Sequence, residues 1–210
     1  MQIDHLMWAC ANLEQGCAYL AKLTGVTPIF SGRHPGLGTA NALLKLGSRC
    51  YLEVIAPDPT QPLVNNFGAR LMTLKTSGLL SWALNTQDLE GLRSGLKQAG
   101  FTTSRVQATS RESPQGESLH WQLLFVTNLA LAPFFIDWLD CFHPAIDAPF
   151  GCRLQALELA SPTAAELSKL CGQVPGLVIN EGPLVSQRAR LDTPRGEVWL
   201  EALTPNITLV

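Results

Sequence analysis

Apolar and polar positions recur along this chain with two periods, and the places where the period changes divide it into units. Ile3 to Cys10 is an apolar run with His5 inside it and predicts a strand. From Asn12 the period lengthens. Leu13, Cys17, Leu20 and Leu23 stand at helical spacing, Asn12 suits the N-cap, and Gly25 closes the helix. Val26 to Phe30 predicts a second strand. A glycine-rich turn, His34-Pro35-Gly36-Leu37-Gly38-Thr39, leads into the run Asn41 to Leu46. Gly47 and Ser48 turn the chain back into Cys50 to Ala56, which stops at Pro57 and Pro59. Two apolar runs about a short glycine-containing turn predict a β-hairpin. Residues 3 to 57 therefore form a β-α-β-β-β unit.

The pattern returns over residues 79 to 140, after a loop at 58 to 76 that holds one helical turn near Ala69 to Leu74. Leu79 to Asn85 predicts a strand. Asp88 caps a helix carrying Leu89, Leu92, Leu96 and Ala99, and Gly100 ends it. Phe101 to Ala108, Leu119 to Val126 and Phe134 to Leu139 predict strands, with a polar loop reaching Gly116 between the first two. Asn12-Leu13-Glu14 aligns with Asp88-Leu89-Glu90 at an offset of 76, and Tyr51-Leu52-Glu53 aligns with Phe135-Ile136-Asp137 at an offset of 84. Residues 151 to 210 hold a partial third unit of β-α-β-β order, packed on residues 1 to 150. It begins with a strand from Leu154 to Ala160 and a helix capped by Thr163. Its Val198-Trp199-Leu200-Glu201 echoes the strand that carries Glu53. Repeats of this kind stack to bury their faces, and the expected fold class is α+β.

Composition narrows the function. The 210 residues are 46% hydrophobic and 15% charged, with a formal net charge of −2. That describes a globular chain without the basic surface that nucleic acid requires. No apolar run reaches the length of a membrane span, and the start MQIDHLMWAC lacks the basic region and long apolar core of an export signal. A cytoplasmic protein is expected. The six cysteines, Cys10, Cys17, Cys50, Cys141, Cys152 and Cys171, include no C-x-x-C pair and are expected to be free thiols. Gly36 and Gly38 match neither the Walker nor the dinucleotide pattern and serve the turn.

Tandem β-α-β-β-β units with a histidine in the first strand and an acid in the last resemble the vicinal oxygen chelate superfamily. HPGLGTANALLKLG with YLEVIAPDP, and the later PFFIDW and His143-Pro144, resemble its glyoxalase-like domain group. The resemblance implies a curved mixed sheet around a pocket. It also implies a divalent metal held by the first and last strands of each unit. Carried over by position, the ligands are His5, Glu53 and Asp137, and the fourth position falls on Ser81, a poor ligand. Such a set suits Mn, Ni, Fe or Zn. Glu53 or Asp137 would be the catalytic base. The resemblance implies a monomer or a homodimer.

Strand parity adds a reading from the residues themselves. Tyr51, Glu53 and Ile55 share a face, as do Ile3, His5 and Met7. Ala42, Leu44 and Leu46 pack under the helices, which leaves Asn41 on the pocket side and Trp121 at the matching position of the second unit. His34 and Thr39 sit at the rim. These four are expected to bind substrate. Trp8, Trp82 and Trp138 are expected in the core, and His120 and His143 on the surface or in loops. The function expected is a glyoxalase-like lyase or isomerase acting on a small oxygenated substrate. The alternative is a metal-free protein of the bleomycin-resistance type that sequesters a ligand.

Overall fold

The first unit begins with β1 (Ile3–Ala9), α1 (Leu13–Thr24) and β2 (Ile29–His34) and ends with the hairpin β3 (Thr39–Gly47) and β4 (Cys50–Pro57). The structure, a computed structural model, describes residues 1–112, 116 and 118–204. Asn12 caps α1 by accepting the Gln15 amide at 2.9 Å. Gly25 ends the helix in the left-handed region, at φ 81°. β2 starts three residues later than expected, because Pro28 has no amide to give to a ladder. It therefore runs on to His34, which pairs with Thr39. Both residues belong to strands, and the turn between them is only Pro35 to Gly38.

A short helix, α2 (Phe67–Leu71), precedes the second unit of β5 (Gly78–Asn85), α3 (Leu89–Gln98), β6 (Gln107–Glu112), β7 (Ser118–Phe125) and β8 (Phe134–Asp137). β6 departs from the sequence expectation of Phe101 to Ala108. Phe101 is buried at the end of α3, where its amide bonds Leu96 O at 2.9 Å. The chain then makes only an isolated bridge, Thr103 to Val126. The strand forms instead over the polar residues that the sequence assigned to a loop, of which 113–115 lie outside the described residues.

The strands close into a barrel in the order β1-β4-β3-β2-β6-β7-β8-β5. In both units the first strand pairs in parallel with the last, His5 with Tyr51 and Ala83 with Phe134. The seam between β2 and β6 is narrow, paired at Arg33 and Glu112. It needs Gly32, at φ 154°. A Cβ there would lie 2.1 Å from Glu112 O and 2.8 Å from the Arg111 Cγ. Period-2 alternation gives the barrel two faces. Trp8, Leu44 and Trp82 pack outward under Leu20, Leu89 and Leu96 of the helices. Met7, Leu43, Ile55, Trp121 and Ile136 pack inward. Each such large side chain withdrawn from water contributes about 1.5–3 kcal/mol.

The remaining chain forms β9 (Arg153–Ser161), α4 (Ala164–Cys171), β10 (Leu177–Glu181), β11 (Ser186–Thr193) and β12 (Gly196–Glu201). Their order in the sheet is β10-β9-β11-β12, so the first strand lies beside the second and third rather than the last. Glu201 thus ends an edge strand, exposed, and is no counterpart of Glu53. Leu157, Leu159, Leu191 and Leu200 of this sheet join the core outside the barrel. The Gln187 amide and the Leu203 backbone both bond Leu79 O at 2.8 Å. No helix among the described residues is long and apolar enough to cross a membrane.

Candidate functional site

The barrel encloses a cavity of about 390 Å³, walled by strands of both units. That volume suits a small molecule. Glu53 reaches it from the middle of β4 and is 6% exposed. A buried carboxylate is costly unless it is hydrogen-bonded, and Asn41 Nδ2 donates to its Oε1 at 2.7 Å. His34 Nε2 lies 3.9 Å from the same oxygen, and His5 Nε2 lies 3.9 Å from Oε2. The His5 ring is stacked on Tyr51 at 4.7 Å. Burial holds the Tyr51 hydroxyl well above its ordinary value, so it stays protonated. Burial pulls the His34 imidazole below its ordinary value. The Glu53 charge opposes that and the Arg111 charge reinforces it, so the ring is neutral at neutral pH. His34 Nδ1 is held by the Thr39 hydroxyl at 3.0 Å, and the ring meets the edge of Trp121 at 6.0 Å.

Behind His5 stands a residue that the sequence reading missed. Asp4 is fully buried. Its Oδ1 accepts from His5 Nδ1 at 2.8 Å, and its Oδ2 accepts from Trp138 Nε1 at 3.0 Å and His143 Nε2 at 3.1 Å. Burial alone would push this carboxyl up. The hydrogen bonds and charges of His143 and His5 outweigh it and bring it down to about 2. The ionised carboxylate can only accept, so His5 keeps a proton on Nδ1, and the neutral form of the ring has its lone pair at Nε2. The Ala145 amide donates to His143 Nδ1 at 3.2 Å, which leaves His143 with its proton on Nε2, facing Asp4. His143 is therefore a structural partner in a loop, as expected, but a buried one rather than one on the surface. Trp138 is in the core, as expected, and it also lines the cavity.

Four of the expected site residues converge on the cavity wall: His5, His34, Asn41 and Glu53, with Trp121 beside them and Thr39 directly behind His34. Ile3 leaves their face, because a bulge between Ile3 and His5 turns it into the outer core. Asp137 also lies apart. Phe134, Ile136 and Trp138 line the cavity, so Asp137 points the other way, and its Oδ1 accepts the Leu139 amide at 2.9 Å. The ladders explain the error. Leu43 pairs with Glu53 and Leu123 pairs with Ile136, so Ile136 is the counterpart of Glu53. By the same registers Ala83, not Ser81, is the counterpart of His5. A slip of one residue reverses the face of every side chain.

Arg111 of β6 is the other residue the sequence did not reveal. It lines the cavity, and its Nη1 donates to the Ser31 hydroxyl and, at 3.4 Å, to Asn41 Oδ1. Asp4 did leave one signal, an acid beside a histidine within an apolar strand. Arg111 left none, since the polar run TSRE lacks any alternation.

A model of the glyoxalase-like domain matches residues 3–174. The chain belongs to the glyoxalase-like domain family. The barrel of paired β-α-β-β-β units is the vicinal oxygen chelate fold. A hypothetical protein from Staphylococcus aureus is similar in structure, with a TM-score of 0.68 and 15% identity over 88% of this chain and 87% of that one. Methylmalonyl-CoA epimerase from Mycobacterium tuberculosis is similar at a TM-score of 0.46, with 17% identity over 64% of this chain and 85% of that one. No curated protein sequence matches this glyoxalase-like chain.

Proposed function

We propose that this glyoxalase-like protein is an isomerase or lyase that moves a proton next to a carbonyl in a small oxygenated substrate. The observation that carries the reading is the buried pair of Glu53 and His5 on one cavity wall, each fixed from behind, Glu53 by Asn41 and His5 by Asp4. Asn41 occupies Oε1 and leaves Oε2 as the basic oxygen. The C–H bond beside the carbonyl breaks, its proton goes to Oε2, and the electron pair delocalises onto the carbonyl oxygen. Return of the proton to the neighbouring carbon completes an isomerisation. The His5 Nε2 lone pair takes the hydroxyl proton that must move between the two oxygens.

The divalent metal implied by the superfamily is a separate matter. Its four-ligand site does not fit this chain. Two of the four positions are Ala83 and Ile136, and Asp137 faces away. Among the described residues no group of three or more His, Cys, Asp or Glu side chains is arranged to hold an ion. The proton transfers above use only the chain's own groups. The apolar residues at the second unit's counterparts of His5 and Glu53, Ala83 and Ile136, favour a second reading, in which the cavity sequesters a ligand without chemistry.

Deuterium exchange in D2O separates the two readings. Hemithioacetals, 2-oxo acids and 2-hydroxy ketones are incubated with the protein and followed by proton NMR, with and without EDTA. Enzyme-dependent exchange that resists EDTA and falls about a hundredfold or more in Glu53→Gln supports the proposal. Saturable binding with no exchange in any class supports sequestration. Exchange abolished by EDTA overturns the metal-free step.

A further inference from the structure

A buried cation facing a small-molecule cavity needs a reason. Arg111 is 6% exposed, and no carboxylate lies within 4.0 Å of it among the described residues. Its Nη1 is spent on two neutral acceptors, Ser31 and Asn41, and its Nε has no partner. Burying a guanidinium without a counter-charge is strongly unfavourable. Glu53 would be the obvious counter-charge, but Asn41 stands between them. The amide accepts from Arg111 with its oxygen and donates to Glu53 with its nitrogen. One side chain therefore links the cation to the anion while keeping them from pairing.

The backbone is shaped to admit this arginine. Its Cγ and Cδ would lie 2.8 and 2.9 Å from any Cβ at position 32, where the chain has glycine. Next to β6, and across the barrel from Glu53 on β4, strands β7 and β8 give an apolar wall of Leu123, Phe125, Phe134 and Ile136. The lining thus includes a buried cation on β6, a base on β4 and an apolar wall on β7 and β8, and Arg70 of α2 lines it as well.

We infer that the cavity takes a small carboxylic acid, its carboxylate held by Arg111 and its reactive carbon set against Glu53. A guanidinium is a planar fork whose parallel N–H groups match the two oxygens of a carboxylate. The bound carboxylate supplies the counter-charge that Arg111 lacks among the described residues. The carbon chain lies against the apolar wall. Within the classes proposed above, this selects 2-oxo acids over neutral 2-hydroxy ketones and hemithioacetals without a carboxylate. The inference rests on the cavity being a small-molecule site, as proposed above, but not on proton transfer.

The test is equilibrium binding by calorimetry to the full chain. The probes are pyruvate, 2-oxobutyrate and malonate, each against its neutral amide, with sulfate and inorganic phosphate as anion controls. The expected result is saturable binding of at least one acid, its amide weaker by about tenfold or more. Arg111→Gln removes that preference and Arg111→Lys retains part of it. Glu53→Gln keeps acid binding even where it abolishes exchange, which separates failure of the chemistry from failure of this inference. The wild-type comparison of acid with amide decides even if the arginine variants do not fold. Three outcomes overturn the inference: amides binding as tightly as acids, no acid in the series binding, or sulfate and phosphate binding as tightly as the acids.

Discussion

Replacing Asp4 with asparagine tests the site at its least visible point. Three N–H groups converge on this carboxylate, and an amide can satisfy only some of them. If the Asn oxygen takes the place of Oδ2, it serves both Trp138 and His143, and its NH2 faces His5 Nδ1. The reverse orientation sets the NH2 against two N–H groups, one of them an indole that cannot change its proton. The first orientation therefore wins, and His5 must move its proton from Nδ1 to Nε2. The lone pair that faced Glu53 and the cavity becomes a donor. The stability cost follows from two independent routes. The carboxyl lies at about 2 against an ordinary 3.8, a difference worth about 2 kcal/mol. Loss of one hydrogen bond to a charged group costs a similar amount, about 1.5–3 kcal/mol. A domain of ordinary stability survives that loss. Isomerisation of a 2-hydroxy ketone, which needs the His5 lone pair to move the hydroxyl proton, should fall on the order of a hundredfold, while exchange at carbon, carried out by Glu53, falls far less. Urea unfolding gives the stability change, long-range 1H–15N spectra give the His5 tautomer, and the D2O assay gives the activity. A folded Asp4→Asn protein with His5 still protonated at Nδ1, or with unchanged isomerisation, would refute the reasoning.

Three further outcomes are expected. Stability should fall on acidification in two stages. The first starts below about pH 6.5, where the unfolded chain takes up a proton that buried His34 refuses, and His34→Gln should flatten it. The second lies between about pH 4 and 2: the Asp4 contribution is complete above the unfolded carboxyl value of 3.8 and is lost as pH falls through about 2. Urea midpoints measured across pH check both, and a flat profile between pH 7 and 5 would count against a buried neutral His34. Gly32→Ala should destabilise by about 2–4 kcal/mol, since a Cβ meets Glu112 O at a backbone angle that favours glycine; a thermal melt unchanged from wild type would contradict the seam geometry. Asp137→Asn should leave exchange within about twofold of wild type, because this side chain caps the Leu139 amide outside the cavity, and a large loss would restore it to the site.

Much of the site could be read from strand parity. In β3 and β4 the alternation is long and regular, so Asn41 and Glu53 could be placed on the inner face from sequence alone. Trp121 followed from its match to Asn41. The second unit gave less. β8 is only four residues, too short to fix its own phase, and matching acid to acid put Asp137 one position away from the true counterpart of Glu53. Asp4 and His143 are 139 positions apart in sequence. Their contact depends on how the chain after β8 folds back, which no local pattern encodes. Arg111 sits where a polar face of the barrel turns inward, so its surroundings look like a loop in sequence and like a wall in space.

The unequal walls of the barrel also bear on stereochemistry. A cavity lined identically by two related halves would offer any ligand two equivalent poses, exchanged by half a turn about the axis relating them. With Ala83 and Ile136 opposite His5 and Glu53, those poses are no longer equivalent. A ligand held in the one remaining pose shows Glu53 a single prochiral face. With a base on one half alone, protons leave and return on one face of the bound ligand, where a matched pair of bases would reach both.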